Sequence, residues 1–333
     1  MSAKIIKRWA ELTKGAPEIS LINQLCPFCK SKEHVLIAQG IDYEYFSCSN
    51  IFSFVKCKEC SLVFLNPKPE FKDFNIIYPS NYYSHVEAKE SKSYNSLVQK
   101  AWDTLEEQRI KMFYNYLGKG KRKILDIGCG PGRLLSLIKK YGYYEWELSG
   151  VEFGLDDAIL AELEGVNIYK GYFEEVDFKE APFDLLVTQQ VIEHAYDPIR
   201  MLKKCCGILK PGGYAIFDTP NYDSLDRMIF SRTYWGGYHI PRHMTLFTPK
   251  TFSSLAEVSG FEVISIKKMI SPVFWVLTVR NLLLGSGVTK KWADKIYYQN
   301  LFLLCVSTFI EIINLYLLRK TSNMRIVLRK KVG

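Results

Sequence analysis

ILDIGCGPG, residues 124–132, is the stretch that decides the fold. Ile124, Leu125 and Ile127 read as the apolar side chains of a buried strand. RLLSLIKKYG, which follows, has Leu134, Leu135 and Ile138 at helical spacing. Between strand and helix stand Gly128, Gly130 and Gly132. Glycine permits the sharp turn and lets a ligand lie directly against the main chain. In the dinucleotide-binding fingerprint the third glycine comes one place later, as GxGxxG. Arg133 holds that place here, so the pattern is GxGxG and a pyrophosphate is not its natural guest.

Reading outward, LSGVE ends on Glu152, 20 residues beyond Gly132. A carboxylate at the tip of a second strand can accept both ribose hydroxyls of a nucleoside. FDLLVTQQVIEHAYDP (183–198) and ILKPGGYAIFDTPN (208–221) continue the series. These four blocks, in this order and spacing, resemble the class I S-adenosylmethionine-dependent methyltransferases: motif I, the second strand tip, the fourth strand with its exit loop, and the PGG turn with the fifth strand. The resemblance implies a Rossmann-like, doubly wound α/β sheet of seven strands with the last one antiparallel. It implies S-adenosylmethionine held by Gly128, Gly130, Gly132 and Glu152. Asp126 would sit beneath the turn, within reach of the methionine amino group, and Gln189 and Gln190 would approach the methionine end. The family places an acidic residue after the glycine of the third strand. Here GYF (171–173) puts Tyr172 there, so Tyr172 or Phe173 becomes a stacking partner for the adenine.

Ahead of this domain, CPFC (26–29) and CKEC (57–60) form two CxxC pairs 27 residues apart. Two such knuckles bring Cys26, Cys29, Cys57 and Cys60 to one ion in a closed tetrahedral thiolate site, the structural zinc arrangement. Four sulfurs leave no open position for catalysis. Strand-like text between the pairs supplies a hairpin, and Cys48 is a spare rather than a ligand. Zinc there would stabilise a unit too small to build its own core. We place this ribbon domain at 1–80 and the methyltransferase domain at 81–333. LVFLNPKPEFKDFNIIYPSNYY (62–83) resembles a bacterial subgroup of these enzymes with the same knuckles, an NPxP turn and a tyrosine pair. Many of its members modify sugars or surface polysaccharides. The resemblance implies that Tyr82 or Tyr83 closes over the cofactor, the alternative being that the pair packs the domain junction. A helical pattern from Ser93 to Tyr116 then lids the sheet.

Methyl transfer from a sulfonium is an in-line displacement in which the protein aligns two reactants and manages one proton. A sugar hydroxyl or a carbon acid needs a base that works near neutral pH. Histidine suits the task, and the chain has five. His34 lies in the cysteine region and His85 just after the tyrosine pair. His194 follows the fourth strand within IEH, while His239 and His243 fall in WGGYHIPRHMTLFTP (235–249), a segment that Gly236, Gly237 and Pro241 mark as a loop. It resembles the histidine loop of deoxysugar methyltransferases, in which a histidine is the base. His239 is our first candidate and His243 the second; packing roles for His243 and His194 stay open. Glu193 could orient a histidine or bond the acceptor.

FEVISIKK (261–268) and MRIVLRKK (324–331) match the last two strands of this fold, with an apolar insertion at about 269–323 between them. Leu301 to Leu318 is 18 residues, the lower edge of membrane-spanning length. Both flanks belong to one sheet, so a single crossing would strand the last strand on the wrong side. On a helix, Ser307, Glu311 and Asn314 form a narrow polar stripe. The insertion could pack on its own sheet or on a second copy in a homodimer. It could lie in a membrane interface through 272–318, or wall a pocket for a lipid-linked acceptor.

Bulk properties agree. Of 333 residues nearly half are apolar, which excludes wholesale disorder, and the net charge of +9 gathers partly in a basic C-terminal tail. The N-terminus lacks a signal-peptide h-region, and cysteines spaced as ligands fit a reducing, cytoplasmic setting, peripheral on the inner face of the cell membrane if the insertion meets lipid. The expected function is methyl transfer to O or C of a sugar, nucleotide-sugar or lipid-linked glycan intermediate in polysaccharide synthesis. An RNA methyltransferase is the enzyme alternative. Against it, the cysteine region is not an aromatic-and-arginine surface and no Asn-Pro-Pro-Tyr motif follows the fourth strand, so nucleic acid is not an expected partner. A non-catalytic S-adenosylmethionine-binding or membrane scaffold is the rival from another class.

Overall fold

The computed structural model describes residues 3–79, 82, 96–142, 145–154, 164–296 and 300–332. The strand read from ILDI is β6 (Arg122–Ile127), with Ile124, Leu125, Asp126 and Ile127 buried. The glycine turn delivers the chain to the helix Arg133–Tyr141, whose Leu134, Leu135, Leu137 and Ile138 are buried. Lys139 and Lys140 stand in its last turn, where cations favour the helix dipole. Around β6 lie β7 (Trp146–Glu152), β8 (Asn167–Lys170), β9 (Phe183–Gln189), β10 (Leu209–Pro220), β12 (Phe261–Met269) and β13 (Asn323–Lys330). Among the described residues these seven strands form one sheet in the order β12-β13-β10-β9-β6-β7-β8. β10, β9, β6, β7 and β8 are parallel, and β13 runs antiparallel to both β10 and β12. The order reverses beside β6, and that is where such sheets open a ligand crevice.

Helices cover both faces. The helix Ser96–Leu117 packs Ile110, Phe113 and Leu117 against Ile124, Leu185, Val187, Ile216 and Val327 on one side. On the other, Met201, Leu202 and Cys205 of the helix Pro198–Ile208 join Phe252, Leu255 and Ala256 of the helix Pro249–Val258. Both start on side-chain caps. Asp197 accepts from the N–H groups of Ile199 and Arg200 at 3.0 and 3.1 Å, and Thr248 and Thr251 cap each other reciprocally.

The N-terminal ribbon is sewn onto this sheet rather than hung from it. β2 (His34–Gly40), β3 (Phe52–Cys57) and β4 (Val63–Leu65) make an antiparallel meander, and β11 (Thr245–Leu246), from the histidine loop, adds itself to β4. A short pair, β1 (Leu21–Ile22) with β5 (Lys68–Pro69), closes the ribbon's base. Val55, Leu62 and Phe64 of the ribbon share a core with Leu125 and Ile127 of the main sheet and Met201 of the helix Pro198–Ile208. Phe52, Phe54 and Leu65 share another with Trp235, Tyr238 and Met244. Between β12 and β13 the insertion folds as the helices Pro272–Ser286, Lys290–Ala293 and Leu301–Leu317. No helix among the described residues is long and apolar enough to cross a membrane.

Candidate active site

At the carboxyl end of β6 the glycine turn is held open from behind. A side chain on Gly128 would collide with Val191, its Cβ falling 2.5 Å from Cγ2. Gly130 is the reverse case: at φ +51° its missing Cβ would meet no atom within 4 Å. The backbone therefore presents a bare face to the crevice. Glu152 sits over it, its carboxylate accepting from the Gly130 N–H at 2.8 Å and the Phe153 N–H at 2.9 Å. Each carboxylate oxygen keeps a lone pair for a hydroxyl. Burial pushes Glu152 above the usual carboxylate range. Asp126 is buried two residues before the turn. Tyr172 stacks on Phe153, centroids 4.7 Å apart, while Phe173 lies in the apolar core against Phe178, so Tyr172 is the ring beside the turn. Gln189 ends β9 with its side chain half-buried. Gln190 turns toward β13, donating to the Asn323 side chain at 3.2 Å. Tyr83 and His85 lie outside the described residues.

One tyrosine separates this cradle from the histidines. The Tyr78 ring meets Phe153 edge-on at 5.6 Å, and its hydroxyl reaches His194 Nδ1 at 3.1 Å. His194, His239 and His243 then cluster, with ring centroids 4.7 Å (194–243), 4.9 Å (239–243) and 5.8 Å (194–239) apart. Their environments differ. His243 Nδ1 faces the Gly237 carbonyl at 2.8 Å, and its Nε2 is 4.0 Å from Glu193 Oε1. Burial, with the other imidazoles nearby, holds His243 and His194 well below the ordinary histidine value, so both are neutral at neutral pH. Glu193 is pushed up to about 8 by burial, although Thr219 donates to its Oε2 at 2.9 Å. Glu193, His194 and His243 bring three donor atoms within 4.8 Å of one another, a spacing a cation could use.

Among the described residues, His239 alone of the three has a carboxylate at hydrogen-bond distance: its Nδ1 is 2.9 Å from Glu44 Oε2, and its Nε2 is 3.4 Å from the Tyr82 hydroxyl. Burial works against an ionised Glu44, yet the neighbouring His239 and Arg242 draw it below its ordinary value. Glu44 belongs to the ribbon loop, and Asp42 shapes that loop. Asp42 accepts from the backbone of Glu44, Tyr45 and Ser47 while pairing in bidentate fashion with Arg242, at 3.1 and 2.8 Å, both side chains fully buried. Arg242 stands between His239 and His243 in the loop, and its guanidinium stacks over Tyr45. Glu44, Asp42, Arg242 and Tyr78 were not singled out by sequence reasoning. Tyr78 reaches His194 across 116 residues of chain, Glu44 reaches His239 across 195, and Asp42 reaches Arg242 across 200, and spacing carries no trace of such pairs.

On the far side of the ribbon the four cysteines converge. Cys26 and Cys60 sulfurs are 3.4 Å apart, as are those of Cys29 and Cys57, and all four lie within 4.8 Å of one another. Cys48 is buried in a separate core. The donor set is all thiol and closed, which suits a structural divalent ion.

The sheet order, its antiparallel last strand and the glycine cradle are those of a Rossmann-like, S-adenosylmethionine-dependent methyltransferase domain. The chain belongs to the methyltransferase domain family, whose model matches residues 86–266, more than half of its length. The ubiquinone biosynthesis O-methyltransferase of Pseudomonas fluorescens is 28% identical over 154 residues, which cover 41% of this chain and 65% of that protein. The protein of the same name from Coxiella burnetii is 29% identical over 149 residues, covering 41% and 64%. The chain thus spans just under two thirds of the length of these curated relatives. Among solved structures, phosphoethanolamine N-methyltransferase 2 of Haemonchus contortus, in complex with S-adenosyl-L-methionine, superposes with a TM-score of 0.50 at 17% identity, covering 90% of this chain and 69% of that one. That likeness concerns the fold.

Proposed function

We propose that the chain transfers a methyl group from S-adenosylmethionine to a hydroxyl oxygen, with His239 as the proton acceptor. The observation that carries this reading is the buried pair His239–Glu44, connected to the cradle through His194 and Tyr78. Glu44 fixes the imidazole with its proton on Nδ1 and stabilises the imidazolium that forms, while Nε2, which the Tyr82 hydroxyl faces at 3.4 Å, takes the acceptor's proton once the acceptor displaces that hydroxyl. His194 and His243, held neutral, lie against the His239 ring, and Arg242 ties the loop to the ribbon. The cradle fits the cofactor: a bare Gly130 face, a ribose-type carboxylate in Glu152, and Asp126 for the methionine amino group. Bound there, the cofactor supplies an already activated methyl group. Four converging thiols support a structural zinc, which would hold the ribbon and through it Glu44.

For the acceptor we favour a sugar hydroxyl, free or lipid-linked, because the cysteine knuckles, NPxP turn and histidine loop resemble sugar-modifying enzymes. The names of the curated relatives give that choice no support and favour a second reading, a phenolic acceptor of the ubiquinone type. Release of S-adenosylhomocysteine against nucleotide-sugars, lipid-linked sugars and catechols separates the two. With the active acceptor, His239→Ala should lower turnover by about 10²-fold or more while cofactor affinity is unchanged. Unaltered turnover would overturn the assignment and leave a cofactor-binding scaffold. Activity confined to RNA would overturn the hydroxyl reading of the acceptor.

A further inference from the structure

The helix Leu301–Leu317 is inside out. Its protein-facing residues are polar: Ser307, Glu311 and Asn314 are its buried side chains. Its outward residues are apolar, with Phe302, Phe309, Tyr316 and Leu317 exposed by 75, 64, 77 and 75%. The register is fixed by hydrogen bonds. Glu311 accepts from Ser271 N–H (3.2 Å), Trp275 Nε1 (3.0 Å), and Ser322 N–H and hydroxyl (both 3.0 Å). Asn314 donates to the Lys320 carbonyl at 2.7 Å. Turning the helix to bury its apolar side would carry Glu311 out to solvent and leave the Ser271, Trp275 and Ser322 donors without their acceptor, so the outward face is not a packing defect. The face continues past the helix end, where Lys320 Nζ touches Met228 Sδ at 3.4 Å and Met228 and Ile229 are themselves exposed.

The charges around this ridge point to its occupant. Between residues 270 and 322 stand Arg280, Lys290, Lys291, Lys295, Arg319 and Lys320 against only Asp294 and Glu311. Glu311 is buried, and Asp294 is held by Arg280 at 2.6 Å. The flanks are therefore cationic, Lys290, Lys291 and Lys295 before the helix and Arg319 after it, all exposed. Exposed Lys4 and Lys7 stand on the helix Ala3–Leu12, which Arg8 ties to the Leu284 and Val288 carbonyls at 2.9 and 2.8 Å. A second copy of the chain would bring an equally basic rim against this one, and like charges oppose such a contact. An apolar ridge along a 17-residue helix, with a basic rim, matches an anionic bilayer surface instead.

We propose that this face docks the protein on anionic membranes, the helix lying in the interfacial plane with Phe302, Phe309, Tyr316 and Leu317 at the headgroup–acyl boundary. The full chain is tested by flotation with vesicles of phosphatidylcholine alone and with roughly one third phosphatidylglycerol. The expected result is binding at least about tenfold tighter to the anionic vesicles and weakened by salt. The charge reversal K290E/K291E/K295E should cost about fivefold per lysine neutralised, or more. F309S/Y316S/L317S should release the protein while cofactor binding and circular dichroism are unchanged. If that variant misfolds, the test is quenching of tryptophan emission in the unaltered chain by brominated lipid, reduced in Trp292→Phe, since Trp292, on the helix Lys290–Ala293, stands exposed between Lys291 and Lys295. Absence of vesicle binding at low salt overturns the proposal. So does a dimer, seen by ultracentrifugation, that the serine variant dissolves in place of vesicle binding.

Discussion

Glu193 is a carboxylic acid that the fold keeps protonated, and replacing it by glutamine should make the protein less sensitive to alkaline pH. The side chain is fully buried, with Thr219 donating to Oε2 and Oε1 facing His243 at 4.0 Å. The other groups around it, His194 and His243, are neutral, and the nearby Asp218 is neutralised by Arg109 and Arg325 at 2.7 Å each. Burial pushes Glu193 from an ordinary value of 4.5 up to about 8. Between these two pH values the folded chain holds a proton that the unfolded chain has released, so stability falls as pH rises through that window. At about 1.4 kcal/mol per pH unit the loss has a ceiling of about 5 kcal/mol, and partial hydration of the ionised group would bring it down to about 2. A glutamine in this place would keep the shape and the Thr219 bond with no proton to lose. Urea unfolding of both proteins at pH 5, 6.5 and 8, taken as differences so that other titrating groups cancel, should show the variant gaining about 2–5 kcal/mol relative to the parent across the range. A flat difference would refute the reasoning, because it would mean that Glu193 ionises in the ordinary range despite its burial.

Three further perturbations follow from the same geometry. Glu44→Gln keeps a hydrogen bond to His239 but removes a charge worth about 4 kcal/mol to an imidazolium at this separation; with about 1 kcal/mol retained by the amide, kcat should fall about 10²-fold at unchanged cofactor affinity, and equal kcat would exclude Glu44 as the positioning carboxylate. Asp42→Asn leaves Arg242 buried without its anion and should cost about 3–5 kcal/mol, about 5 °C in melting temperature. Arg242 holds Asp42 down at about 2 against the opposing effect of burial, so in the parent this contribution is complete above about pH 4 and lost as pH falls through 2, and an unshifted acid limb in the variant would contradict it. Gly130→Val forces a β-branched residue into the left-handed region and fills the cradle, so cofactor affinity measured by calorimetry should drop at least about tenfold with a stability loss of about 1–2 kcal/mol; undiminished affinity would move the cofactor elsewhere.

What the sequence revealed and what it hid have one physical cause. The α/β sheet was legible because its signals are local. ILDI and the leucines of RLLSLIKKYG carry their own periodicity, the glycines of the turn mark its end, and CPFC and CKEC carry ligand spacing. The candidate site was half legible. Its histidines stand in short runs next to strand ends, but the partners that distinguish them come from elsewhere. His239 differs from His243 because Glu44 reaches it across 195 residues of chain, and no pattern around position 44 says so. Phe173 and Tyr172 are neighbours in an irregular turn, where alternation cannot tell which ring faces the core. The polar stripe of the last helix was visible too, but not its direction, since an amphipathic helix of a globular protein ordinarily turns such a stripe to water. The Ser271, Trp275 and Ser322 donors reverse it.

The ribbon therefore does more than precede the methyltransferase domain. β11 pairs with β4, Met244 donates to the Glu193 carbonyl at 2.7 Å, and Leu65 donates to the Met244 carbonyl at 2.9 Å. One strand thus joins the cysteine unit, the histidine loop and the exit loop of β9. A four-thiol cluster has no open coordination position and can do no chemistry on an acceptor. It can still govern catalysis, because the loop bearing Asp42 and Glu44 leaves β2 and returns to β3, whose last residue is Cys57. Stripping a metal from the cysteines should accordingly spare the glycine cradle, which rests on β6 and β7, and abolish turnover by freeing Glu44 from His239. Cofactor binding retained by a chelated, inactive protein is the signature of that arrangement. Loss of both together would mean that the ribbon supports the whole sheet rather than the base alone.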